Sequence, residues 1–447
     1  MKRAARHMNP MNVVASTHST RELGRIQSGT DVYHRVNLAL FVAGFVTFIT
    51  LYDMQPLLPV FSREYGVAPA LGSLPLSIST CTLAIAMLFT GTLSETWGRK
   101  QIMTGALFVI SFLALLSAFS HTFVSLLLVR LLQGFALAGL PAVAMAYLGE
   151  EMDAASLGPA MGLYISGNAV GGMTGRIFTA TMTDLVSWRA ALGAIGIICL
   201  LSSWVFMKSL PPSHLQRRPF VARYLVTSLG YHLKEPKLRC LFGIAFIAVG
   251  SFVTLYNYIT FRLLAAPYLL SQSHVSLIFL VYLLGSMSAT GIGHLVNRFG
   301  RVPTIRFSLF AMAAGATLTL ATPLPLIVAG VGLFTCGFFS AHAIASSSVS
   351  RMATTARAQA TALYLFFYYV GSSVAGTVGG LFWNTWGWGG VVSLICLLLT
   401  AGFFVTIRLS SIIHASYPPP PAKSQPWKLG LTAEETEQYP GLSEETR

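Results

Sequence analysis

The sequence predicts an all-α membrane protein with twelve transmembrane helices in two pseudo-symmetric six-helix bundles. Three observations predict it. Only 10% of the 447 residues are charged while 54% are apolar, a balance that a soluble chain of this length has no means of burying. About twelve apolar runs approach the roughly 20 residues that a helix needs to cross a bilayer. Landmarks of the first half return in the second at an offset of about 200–204 residues.

Taken in order, spans 1 to 6 fall at about 36–60, 70–92, 102–120, 122–147, 157–182 and 188–208. Spans 7 to 12 fall at about 240–262, 274–296, 303–321, 324–347, 357–382 and 389–408. Residues 1–35 form a polar leader too long for a signal peptide and followed by no small-residue cleavage site, so the first span is retained. The bundles are then 36–208 and 240–409, joined by a basic linker at 209–239. The tail at 410–447 is Pro-rich, then Glu-rich, and is expected to be a disordered extension.

Lys and Arg set the orientation. The leader, the linker, the 2–3, 8–9 and 10–11 loops with their adjoining span ends, and the tail carry 24 of the 29 basic residues, which places both termini in the cytoplasm. The net charge of +14 is therefore mostly a positive-inside bias, and no nucleic-acid partner is needed. Cys81, Cys199, Cys240, Cys336 and Cys396 lie singly in apolar runs, without the spacing of a disulfide framework or metal site. No cofactor and no metal are expected.

The repeat is specific. Thr50-Leu51-Tyr52-Asp53 returns as Thr254-Leu255-Tyr256-Asn257, Gly98-Arg99 as Gly300-Arg301, and Gly134-Phe135 as Gly337-Phe338. Leu163-Tyr164, Gly171 and Trp188 return as Leu363-Tyr364, Gly371 and Trp388. Two parallel six-helix halves around one interface are the architecture of a carrier rather than a channel.

Between spans 2 and 3, Gly91, Leu93, Glu95, Gly98, Arg99 and Lys100 resemble the loop signature G-x-L-x-D-x-x-G-R-K/R of the major facilitator superfamily. Gly293, Leu295, Asn297, Gly300 and Arg301 repeat it. Arg130, Gln133 and Gly134 match the superfamily's helix-4 pattern R-x-x-Q-G. The stretch from Gly162 to Arg176 resembles helix 5 of YnfM-type bacterial inner-membrane transporters, a group similar to drug/proton antiporters. The resemblance implies the major facilitator fold, alternating access, a monomer, a bacterial inner membrane, and a small molecule and protons as partners beside the lipid bilayer. It also implies a cytoplasmic gate in which the glycines allow close approach while the acid and arginines meet neighbouring helix ends. Glu95 keeps the usual charge on a longer arm; Asn297 loses it, so the second clamp should be weaker or use hydrogen bonds only.

Charge inside a span costs at least about 2.5–3.5 kcal/mol and calls for a reason. Asp53 is the only acid well within a span, and its repeat partner Asn257 does not titrate. Arg130 and Arg176 share its estimated depth, so both are potential partners; Arg176 has the alternative of snorkelling to the outer surface. Proton coupling is therefore assigned to Asp53, Arg130 and Arg176, with His342 as a second titratable group. The alternatives are a permanent ion pair for Asp53 and a helix-to-helix hydrogen bond for His342.

Tyr164, Asn168, Gly172 and Arg176 recur every fourth residue on one helical face, and Tyr364, Tyr368, Ser372 and Gly376 are their equivalents. Both faces are expected to line a shared cavity. Gly167, Gly171 and Gly175 form a neighbouring small-residue stripe suited to close packing. Tyr52, Tyr256, Asn257 and Tyr258, with Phe367 and Tyr368, are expected to take an aromatic or cationic amphiphile by stacking and cation–π contact. No Walker pattern, H-E-x-x-H or G-x-S-x-G turn is present, so the chain is not read as an enzyme. The expected function is proton-coupled export of small amphipathic or drug-like molecules. An uptake symporter for a sugar or organic acid, or a non-transporting sensor, is the alternative.

Overall fold

A computed structural model describes residues 25–213 and 222–416. The leader up to residue 24, part of the linker, and the tail from 417 lie outside the described residues. The first bundle comprises α1 (Asp31–Tyr52), α2 (Leu74–Trp97), α3 (Arg99–Ala118), α4 (Phe123–Leu137, resuming as Pro141–Glu151), α5 (Ala154–Leu185) and α6 (Trp188–Ser209). The second comprises α7 (Pro236–Leu264), α8 (Tyr282–Phe299), α9 (Arg301–Leu318) and α10 (Leu324–Met352). Its last helical stretch, Arg357–Ser416, breaks at Gly387 (φ 57°, ψ −145°) into α11 (357–386) and α12 (388–416).

Among the described residues, nine segments are long and apolar enough to cross a membrane by composition. The count rises to twelve because the last of these is two helices and because α5 and α9 have spanning length with a more polar make-up. Phe112, Leu201, Phe310, Leu397 and Phe404 lie bare on the outside of the bundle. Apolar exposure on this scale suits lipid rather than water.

The sequence repeat reappears as packing. Side chains built at Gly167, Gly171 and Gly175 of α5 would strike the carbonyls of Phe41, Phe45 and Ile49 of α1 at 2.3, 2.3 and 2.5 Å. In the second bundle a side chain at Gly371 of α11 would strike the Phe246 carbonyl of α7 at 2.3 Å. Each stripe lets two helix backbones touch, which is where dispersion contacts are densest. Gly98 (φ 101°) and Gly300 (φ 85°) turn the equivalent corners between α2 and α3 and between α8 and α9, where a side chain would strain the backbone.

Two expectations need correction. The linker is not only a loop: Ala222–Lys234 is a helix whose Leu225, Ser228 and His232 are buried, and His232 Nε2 lies 3.1 Å from the Ala356 carbonyl. At 13 residues its apolar stripe was too short to register as a span. α12 also runs through Ser416, into the stretch expected to be disordered, because Ile412 and Ile413 still pack on the core.

Candidate functional site

The α1 helix ends at Tyr52, and Asp53 is its cap. Pro56 follows within a 3-10 turn, Gln55–Leu57. Proline supplies no N–H to continue the helix ladder, so the break leaves carbonyls near the end of α1 for other donors. Arg130 of α4 supplies them. Its Nη1 and Nη2 each donate to the Thr50 carbonyl at 3.1 Å, and Nη2 donates to Leu51 at 3.4 Å. Nη1 also lies 3.2 Å from Asp53 Oδ1, with both side chains fully buried. Gln133 Oε1 accepts from Nη1 at 2.6 Å and Ser79 Oγ from Nε at 3.1 Å.

Arg176 takes a different place from the one expected. It neither pairs with Asp53 nor snorkels; it is 2% exposed and points across the bundle interface. Its Nε donates to Gln55 Oε1 at 2.6 Å, and its guanidinium lies over the Tyr52 ring at 3.9 Å. Gln55 Nε2 in turn donates to Asn257 Oδ1 of α7 at 2.8 Å. One glutamine thus links the two bundles.

Further links lie at the same end. Ser373 and Thr377 of α11 donate to the carbonyl and hydroxyl of Ser77 at 2.5 and 2.9 Å. Ser273 donates to Asp184 through N and Oγ. Gly380 sits so close that a side chain there would strike Ala70 Cα at 2.3 Å. All of these positions lie at the end of the bundle opposite Arg99 and Arg301.

At the other end the two loop signatures stay within their own bundles. Arg99 makes a bidentate pair with Glu150 at the end of α4, accepts no help closer than 3.8 Å from Glu95, and donates to Ser94 Oγ at 2.9 Å. Lys100 donates to the Leu210 carbonyl. In the second bundle Arg301 donates to Ser347 and Ser348 hydroxyls, both at 3.0 Å, while Asn297 is exposed. The expected role of Gly91 and Gly293 in close approach is not what the packing requires: a side chain at either position would meet nothing within 4 Å.

The expected cavity residues separate into two groups. Tyr256, Tyr258 and Tyr364 are buried and their hydroxyls are engaged, by Thr335 at 2.7 Å, the Gly376 carbonyl at 2.7 Å and His342 Nδ1 at 2.9 Å. Phe367 stacks on Phe242 at 5.5 Å. Asn168 turns toward α1, where it occupies the space a side chain at Gly44 would need, and Tyr164 is 1% exposed. These six are packing residues in this conformation. Tyr52, Asn257 and half-buried Tyr368 remain at the interface, the last with its ring 4.9 Å from that of His342. His342 therefore sits in the second bundle, away from the Asp53 pair.

The profile of the Major Facilitator Superfamily matches residues 38–287. The chain belongs to the Major Facilitator Superfamily. It is 47% identical over 382 residues to the MFS-type transporter YybF of Bacillus subtilis, covering 85% of this chain and 95% of that protein. It is 46% identical over 391 residues to the inner membrane transport protein YnfM of Escherichia coli, covering 87% and 94%. Among solved structures it resembles the nucleoside transporter NupG with a TM-score of 0.67 at 16% identity, covering 84% of this chain and 99% of that one. A bacterial homologue of the lysosomal transporter Spinster, inward-facing and unoccupied, gives 0.62 at 14%, covering 86% and 96%.

As a superfamily transporter rather than an enzyme, the chain gives physical meaning to its helix-4 pattern. Arg130 reaches α1, and Gln133 steadies the guanidinium while donating to the Ile110 carbonyl of α3 at 3.3 Å. Gly134 admits α2, since a side chain there would lie 2.4 Å from the Ser79 carbonyl. Sequence reasoning missed Gln55 and Glu150. The signal for Gln55 was its place beside Pro56 at the end of span 1; Glu150 offered only a charge at a span end.

Proposed function

We infer that this superfamily member is a proton-coupled exporter of small amphipathic molecules working by alternating access, with Asp53 as the coupling carboxylate. The observation that carries the reading is the fully buried Asp53–Arg130 pair at the broken end of α1. A carboxylate that loses its arginine inside a membrane protein is driven to take up a proton. The same arginine holds the α1 carbonyls, so movement of α4 against α1 changes both at once. Protonation and helix position then become one switch.

In this reading the basic end faces the cytoplasm, and the links made by Gln55, Ser77 and Asp184 close the outer side. The chain thereby rests in an inward-open arrangement, ready for a substrate from the cytoplasm. The bilayer is the inner membrane, and one copy forms the pathway. Tyr52 and Tyr368 border the interface at which the substrate binds.

The test uses inverted vesicles energised to an acidic interior and loaded with a proton-sensitive dye. An exported substrate should discharge the gradient with wild type and not with Asp53→Asn. Equal discharge by both proteins would remove Asp53 from coupling. Substrate-driven proton movement in the opposite sense would turn the reading into symport.

A further inference from the structure

Arg176 is a buried cation without a carboxylate. The ion pairs of Arg99 with Glu95 and Glu150, of Arg130 with Asp53, and of Arg189 with Glu64 do not include it. A guanidinium taken from water needs a counter-charge or a full set of acceptors. Here the acceptors are two neutral oxygens, Gln55 Oε1 at 2.6 Å and the Gly172 carbonyl at 2.8 Å. They match two of its five N–H donors. Rings lie against the faces of the guanidinium, Tyr52 at 3.9 Å, Tyr282 at 4.7 Å and Phe279 at 5.0 Å, and leave the remaining N–H edge without an acceptor.

Two buried atoms of this network have no hydrogen-bond partner: Oη of Tyr282, whose ring lies against the guanidinium, and Nδ2 of Asn257, whose Oδ1 is held by Gln55. An amide nitrogen donates, and a phenol donates readily. The unmatched groups at this point of the interface are thus a cation and donors, drawn from α5, α7 and α8. What they lack in common is an acceptor with negative charge. A second cation beside this point would meet the like charge of Arg176, which already lies over the Tyr52 ring.

We propose that Arg176 anchors an anionic group of the transported molecule, so that the substrate class is an organic anion with an apolar body. The oxyanion takes the guanidinium's open donors in the charge-assisted geometry that favours arginine, and the body lies against the aromatic rings. Gln55 Oε1 is the group the anion displaces. Its other end holds Asn257, so displacement weakens a link between the bundles and binding favours separation of the outer ends. This assignment rests on the transporter reading above and narrows its substrate.

The test uses the full chain in lipid nanodiscs and then in proteoliposomes. Probes are benzoate, 3-phenylpropionate and octanoate, each paired with its primary amide and with the amine of matching length. At least one carboxylate should raise the unfolding temperature while its amide and amine do not. Arg176→Met should weaken that binding tenfold or more, and Arg176→Lys should restore part of it. Asp53→Asn should still bind the carboxylate but lose proton-coupled flux. Binding of amide or amine as tight as the carboxylate, equal binding by Arg176→Met, or no response to any carboxylate would overturn the anion site. Carboxylate binding without flux would leave the site standing and remove the exporter reading; flux of the amine alone would do the reverse.

Discussion

Arg130 lies 3.2 Å from Asp53 and at the same time holds the Thr50 carbonyl through both terminal nitrogens. The arginine therefore has two tasks, neutralising a carboxylate and sealing a helix end, whereas the aspartate has one.

That asymmetry predicts unequal costs of mutation. Arg130→Met strands a buried carboxylate and unsealed carbonyls, so it should destabilise by about 3–5 kcal/mol, the usual cost of breaking a buried pair from one side. Asp53→Asn keeps an acceptor near Nη1 and leaves the other Arg130 bonds intact, so it should cost about 1–2 kcal/mol. Denaturant unfolding in one detergent compares the two. An Asp53→Asn protein less stable than Arg130→Met would contradict the assignment.

The glycines predict a second contrast. Gly171→Val places atoms where the Phe45 carbonyl stands 2.3 Å from the new Cβ, so α1 and α5 must separate and folded protein should be lost. Gly91→Ala meets nothing within 4 Å and gains helix propensity of up to about 1 kcal/mol. Yield of monodisperse protein after solubilisation separates the cases. Loss of the fold on Gly91→Ala would restore the close-approach role expected from the loop signature.

These contrasts show what was readable in the chain. The fold was legible because spans and repeats are long-range regularities of composition, and the α5 stripe because four-residue spacing fixes a helix face. The Asp53–Arg130 contact was reachable from depth and scarcity, since only one acid lay well within a span. Side-chain direction was not legible. Tyr164 and Asn168 occupy the face that carries Arg176, yet they pack against α1, because a stripe of glycines draws that helix close. Gln55 was hidden because its role arises from Pro56 breaking α1, which redirects an ordinary polar side chain into the interface.

The loop signatures predict unequal clamps. Glu150 meets Arg99 by two charged bonds, whereas among the described residues Arg301 donates to the neutral hydroxyls of Ser347 and Ser348. Charge-assisted bonds are about twice as strong as neutral ones. Both clamps lie within a single bundle, so Glu150→Gln should destabilise the fold by about 1–2 kcal/mol. Ser347→Ala with Ser348→Ala should cost less. Denaturant unfolding in one detergent ranks the two, and a larger loss from the serine pair would reverse the order.

Gln55 gives the prediction that bears most directly on the closed end. It accepts from Arg176 on one side and donates to Asn257 on the other, so Gln55→Leu cuts the link while conserving most of the volume. Asn257→Leu cuts the same link from the second bundle. If the bond holds the bundles together, each single change should raise labelling of a cysteine introduced at Ser77 severalfold, because Ser77 is 4% exposed in the closed arrangement. The double mutant should add little, since both changes remove one bond and their effects should not sum. Additive effects would mean that Gln55 and Asn257 act separately, and that the seal rests on Ser77 with Ser373 and on Gly380 against Ala70. Unchanged labelling in all three proteins would assign the seal to those contacts alone.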